Sequence, residues 1–260
     1  MQRKVERISK ELGKRVCGLP GVDSVTLAEI TGEDFVDPYF VLSFDVYFRG
    51  SLSPIEVRHK LFEDAGAFES SSVASKDRFL IEELPVRIEY KDIARIDEIL
   101  GKVEQNLWVF RQTGTYMFDR LQNATILEKR SDWIERTRAV LTKLPDSFWE
   151  LLAKSSLATM EHYLADYAAG VLRSDPLFSL ISAAGFIKSC CSALFVLNRT
   201  FEPSGRVLYK RIFELPRLPE HFASQFETFM SDDPDFGPNR KREIAELIAT
   251  SIFNLGPASK

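Results

Sequence analysis

Near residue 125 the spacing of apolar residues changes, and that change limits the fold more than any single motif. Upstream, short β-branched and aromatic runs alternate with helical stretches; downstream, apolar residues recur every three or four positions almost without interruption. Residues 2–17 set Val5, Ile8, Leu12 and Val16 on one helix face, and "GLPG" stops that helix. Strands are expected over 22–30 and 39–48, joined by the loop "TGEDFVDP". A helix over 53–66 follows, with Ser53 as its N-cap and Pro54 at its first position. Two more strands, 78–83 and 85–91, precede a helix across "IARIDEILGKVEQNL". From "SDWIERTRAVLTKL" to "NRKREIAELIATSIFNL" the remaining segments read as helices separated by Pro, Gly or Asp. The expectation is an α+β protein: a mixed sheet with flanking helices over residues 1–125, then an all-helical bundle over 126–260.

At 260 residues and 45% hydrophobic content the chain can fill a core in each part. The formal charge of −4 argues against extended nucleic acid as a partner. Three cysteines, two of them adjacent at Cys190 and Cys191, point to buried thiols in a reducing compartment. The charged N-terminus does not read as a secretory signal, and the apolar run 177–197 carries Lys188, so a bundle helix is expected there rather than a membrane span. A cytoplasmic location is therefore expected; the sequence does not fix the oligomeric state. His59, His162 and His221 have no second ligand at metal spacing, and "RLPEH" (217–221) is too tight for the Arg–His pair of ribonuclease bundles, which lowers a toxin–antitoxin role.

Chemistry concentrates around "DFVDPYFVLSFDVYFRG" (34–50). Strand alternation puts Phe40, Leu42, Phe44, Val46 and Phe48 on one face and Val41, Ser43, Asp45 and Tyr47 on the other. In "PVRIEYK" Val86, Ile88 and Tyr90 share one face and Arg87 and Glu89 the opposite one. If these strands are neighbours, Asp45 and Glu89 project together, and two adjacent carboxylates need a cation between them. A divalent ion would serve; so would pairing of Asp45 with Arg87 or a lysine on a solvated face.

This order of elements, with "DPYFVLSFDVYF", "PVRIEY" and "LFVLNRTFEPSGRVLYKRIFEL" in sequence, resembles the polymerase-beta-like nucleotidyltransferase superfamily and its bacterial branch of small-molecule adenylyltransferases. The resemblance implies a nucleotidyltransferase-like sheet domain and transfer of a nucleoside monophosphate from ATP or another NTP to a small hydroxylated acceptor. Nucleotide and acceptor would meet in an interdomain cleft. It further implies Mg²⁺ held by Asp45, Glu89 and Asp37 or Asp34, with Glu89 also taking the acceptor's proton. Thr31 and Gly32 would hold phosphates through backbone N–H groups, beside Ser43, while Lys188 and Arg206 would reach the nucleotide from the helical half. Two departures stand out: "VTLAEITGED" lacks the Gly-Ser that grips phosphates, and Ser43-Phe44-Asp45 has a hydroxyl where the first acid of the pair belongs. They open a second reading, a degenerate member of the fold acting in ligand binding or regulation.

Overall fold

The computed structural model describes residues 2–71, 73, 75–112, 114–233 and 235–256. The chain forms two compact units. A sheet unit comprises Met1–Val103 and Arg120–Lys143; a helical unit comprises Glu104–Asp119 and Leu144–Lys260. The boundary therefore differs from a single cut near residue 125. Residues 125–143, expected at the start of the bundle, supply an edge strand and a helix to the sheet unit, while 104–119 belong with the helices.

In the sheet unit the order is α1 (Gln2–Cys17), β1 (Val22–Leu27), a 3₁₀ turn (Glu33–Val36), β2 (Leu42–Phe48), α2 (Ile55–Leu61), β3 (Gly66–Ser70), β4 (Lys76–Ile81), β5 (Leu84–Asp92) and α3 (Ile93–Gly101). After the excursion into the helical unit come β6 (Thr125–Lys129) and α6 (Trp133–Leu141). Among the described residues six strands form one mixed sheet in the order β3-β4-β5-β2-β1-β6, with only β2 and β5 running parallel.

One sheet face holds the core. Val5, Ile8, Leu12 and Val16 of α1 are buried with Val25, Leu42, Phe44, Val46, Val86 and Ile88, as the alternation of each strand requires. The strand over 78–83 ends earlier than expected, at Ile81, because Glu82 and Glu83 take positive φ angles of 48° and 68° and form the two-residue turn into β5. Such a turn is normally signalled by Asn-Gly or Asp-Gly, and Glu-Glu carries no such mark. At α2, Pro54 occupies the cap itself, where Ser53 was expected.

The helical unit is built on α7 (Asp146–Leu172) and α8 (Pro176–Leu197), which pair along their lengths, together with α4 (Leu107–Gln112), α9 (Leu208–Ile212), α10 (Phe222–Met230) and α11 (Pro238–Leu255). Asp175 caps α8 by accepting from Phe178 N–H at 3.0 Å, and Pro176 opens the helix. Among the described residues α8 is the one helix long and apolar enough to cross a membrane by composition, and just over half of that apolar stretch, 56%, is buried within the protein. The fold is α+β: a six-stranded mixed sheet with its helices, followed by helices.

Candidate functional site

Opposite the apolar core, the sheet presents a polar face, built by strand register. The parallel pair β2–β5 sets Ser43 against Arg87, Asp45 against Glu89 and Tyr47 against Lys91. On one side β1 places Thr26 against Asp45; on the other β4 places Lys76 against Glu89 and Arg78 against Arg87. Neighbouring strands lie about 4.8 Å apart, so Asp45 and Glu89 are adjacent on one surface. The sequence-level expectation that these two acids project together is what the register produces.

Their surroundings are not those of a solvated face. Asp45 is fully buried, with Lys91 Nζ 2.9 Å from one carboxylate oxygen and Arg120 Nη2 2.8 Å from the other. Both bases stand at ion-pair distance, and this close charge compensation is what keeps a buried carboxylate tolerable. Arg120 comes from α5 (Tyr116–Asn123), along which the chain re-enters the sheet unit, and it is itself buried. Tyr47, on the same face, is buried against Trp133 of α6 at 5.1 Å between ring centroids. Glu89 lies 3.3 Å from Lys76 and 3.7 Å from Arg87. The expected alternatives for Asp45 were a metal or a pairing with Arg87 or a lysine on a solvated surface; it pairs with Lys91 and Arg120 in the interior.

The titration of the face follows from these distances. Burial alone would raise the Glu89 carboxyl, but the fields of Lys91, Arg120, Lys76 and Arg87 together hold it below its ordinary value. Burial lowers the Lys91 ammonium; Asp45 opposes that shift and Arg120 adds to it. Burial pushes the Tyr47 phenol well up, with Asp45 beside it acting in the same direction. The ion pairs of this face set four bases, Lys76, Arg87, Lys91 and Arg120, against two acids, Asp45 and Glu89, in a chain whose net charge is −4. Arg78, next along β4, stands opposite Glu69 of β3 and leaves that balance unchanged. The side chains grade inward, from 48% exposed at Lys76 through 32% at Arg87 and 20% at Glu89 to 12% at Lys91.

The other expected site residues fall as follows. Ser43, where the resemblance implies an acid, has a hydroxyl that accepts from Arg87 Nη2 at 3.2 Å and donates to Val41 O at 3.2 Å. Thr31 N–H does not stand open for a phosphate, because it donates to Asp34 Oδ2 at 2.6 Å, and the Thr31 hydroxyl donates to the same oxygen at 2.9 Å. Gly32 has φ of −60°, and a Cβ there would meet nothing within 4 Å, so neither backbone nor space requires glycine. Asp37 follows the 3₁₀ turn and accepts from Tyr39 N–H at 2.8 Å. Lys188 and Arg206 belong to the helical unit. Lys188 on α8 is ion-paired to Glu202, and Arg206 is exposed in the segment before α9.

Among the described residues no three His, Cys, Asp or Glu side chains come together as metal ligands would. The two carboxylates that are adjacent already have bases as neighbours, so the residues present do not fit the expected Mg²⁺. Arg87 was expected on this face, whereas Lys91 and Arg120 were not named as its bases. A signal for Lys91 existed: it is two residues after Glu89 in a strand and so shares its face. Arg120 had none, since it sits on a helix far away in sequence.

Comparison with known proteins gives little to set beside this. Residues 110–206 match the family described as "Domain of unknown function (DUF4037)". No curated protein matches the chain. Among solved structures it is similar to a nucleotidyltransferase-like protein from Exiguobacterium sibiricum 255-15, at 10% sequence identity and a TM-score of 0.49, covering 96% of this chain and 74% of that one.

Proposed function

We propose that the protein binds a phosphate-bearing small molecule, of the nucleotide class, on the polar face of its sheet, and that it does so through its own bases rather than through a bridging divalent cation. The observation that carries this reading is the charge balance: each carboxylate of the face has bases at ion-pair distance, and the surplus is positive. Arg87 offers a planar fork suited to phosphate oxygens, Lys76 a mobile charge at the edge, and Ser43 a hydroxyl already aligned with Arg87. Asp45 then has a different task from a metal ligand: it holds Lys91 and Arg120 in place and keeps two buried cations from repelling each other. On this reading the protein is a ligand-binding member of the nucleotidyltransferase-like group that its sequence resembles, working in the cytoplasm.

A second reading, nucleotidyl transfer, is favoured by one observation, the register pairing of Asp45 with Glu89. Titration calorimetry with ATP separates the two. Binding that persists in EDTA, and that falls about tenfold in Arg87→Met, fits the loss of one charge-assisted contact and supports the first reading. Binding that requires Mg²⁺ and is lost in Asp45→Asn overturns it in favour of transfer.

A further inference from the structure

The helical unit contains a cavity of about 470 Å³ that is unlike the sheet face in its chemistry. Its volume lies in the range, roughly 300 to 1,000 Å³, that holds small-molecule ligands. Two helix faces form its walls. From α7 come Ser155, Ser156, Thr159 and Tyr163, which spacings of one, four and eight residues place along one side of a helix. From α8 come Gly185, Ser189 and Ser192 at the same kind of spacing. Phe110, Leu152 and Val196 supply an apolar patch between them.

The charges in the cavity cancel. Glu202, itself buried, is ion-paired to Lys188 and accepts from the Ser192 hydroxyl at 2.6 Å, while its backbone N–H donates to Thr115 Oγ1 at 2.6 Å. Neither an anion nor a cation therefore meets an uncompensated partner in the interior; Arg111, the further charged lining residue, is exposed. What remains is an array of hydroxyls. Ser189 donates to Gly185 O at 2.8 Å and Thr159 to Ser155 O at 3.0 Å, so both still accept. Ser156 and Tyr163 add groups that both donate and accept. Gly185 is what lets Tyr163 lie here at all: a Cβ on residue 185 would stand 2.4 Å from the Tyr163 ring.

We infer that this cavity is a binding site for a neutral polyhydroxylated small molecule of the sugar or cyclic polyol class. Hydroxyl walls match the mixed donor and acceptor character of such a ligand, and the patch of Phe110, Leu152 and Val196 matches the C–H surface of its ring. All of the lining residues belong to the helical unit, so the inference stands apart from the nucleotide reading of the sheet face.

Saturation-transfer NMR of the full chain with myo-inositol, maltose and glucose 6-phosphate tests it, beside the variants Ser156→Val and Tyr163→Phe, each checked by circular dichroism melting. The expected result is transfer to a neutral polyol, with affinity falling about tenfold in a variant that melts like the parent, as loss of one hydrogen-bonding pair predicts. No transfer to either neutral polyol overturns the inference. So does transfer to glucose 6-phosphate alone, which would make Lys188 the recognition element, and so does polyol binding that both variants leave unchanged.

Discussion

The sheet unit buries an aspartate on each of its two faces, and the two are treated differently. On the core face Asp77 is met by Arg58 at 2.8 Å and by the Tyr90 hydroxyl at 2.9 Å, with Ser70 as a further donor. Both members of the Arg58–Asp77 pair are fully buried, and the guanidinium lies 4.5 Å from the centre of the Tyr90 ring. One positive charge meets one negative charge wholly inside the core, with Arg58 Nη1 bonded to Asp77 and Nε and Nη2 left without a hydrogen-bond partner among the described residues. On the opposite face Asp45 faces two bases, with Arg87 on the neighbouring strand and Lys76 one strand further, and exposure rises outward from it. Equal charge with directed bonds is the pattern of a structural pair; surplus charge at a surface that opens to solvent is the pattern of a place where a ligand supplies the missing anion.

Removing one partner of the closed pair is expected to have the largest effect. Asp77→Ala leaves Arg58 charged in the interior and should cost about 3–5 kcal/mol, read as a fall in urea midpoint or as failure to accumulate folded protein. The double variant Arg58→Met with Asp77→Leu should recover most of that loss, since an apolar pair of similar volume often replaces a buried ion pair at little cost. If the double variant is as unstable as Asp77→Ala, the pair is more than structural and the comparison fails.

Asp45→Asn should cost less, about 2 kcal/mol, because Lys91 and Arg120 keep each other's repulsion but have an open side toward Glu89. Its effect on binding goes the other way: with one negative charge gone, inorganic triphosphate in EDTA should bind several-fold tighter by calorimetry, and the gain should shrink at high salt. A metal site would lose affinity on the same change. Lys91→Met should shift stability least of the buried positions, because burial already disfavours its charged form, while weakening triphosphate binding about tenfold.

How far the sequence disclosed all this depended on the range of the signal. Alternation within "YFVLSFDVYF" and "PVRIEYK" placed Asp45 and Glu89 on one surface, because strand faces are a local property of period two. The partners of Asp45 were not local: Arg120 arrives on a helix end after an excursion through the other unit, and its type and position carry no periodic mark. β3 and β6 were missed for a related reason. "GAFES" and "TILEK" are five-residue edge strands, and pairing rather than composition makes them strands. The boundary moved with β6, since 125–129 looks unlike a helix only once β1 is seen beside it.

The smallest expected effect is the most diagnostic of the open face. Glu89 is held below its ordinary value of 4.5 although burial pulls the other way, so the bases around it stabilise the folded carboxylate. A carboxyl whose folded pKa is depressed contributes stability that is fully present above the unfolded value and is lost as pH falls through the folded one. The stability difference between the parent and Glu89→Gln should therefore be constant from neutral pH down to about 5 and should shrink below 4.5. At one fifth exposure and with partners at 3.3 and 3.7 Å, its size should be about 1 kcal/mol or less. Bound triphosphate competes for the same bases, so at neutral pH the parent-minus-variant difference measured with ligand should be smaller than without it. An unchanged difference in urea titrations with and without ligand would mean that Glu89 and the phosphate do not share Arg87 and Lys76, and the anion would have to be sought elsewhere on the sheet.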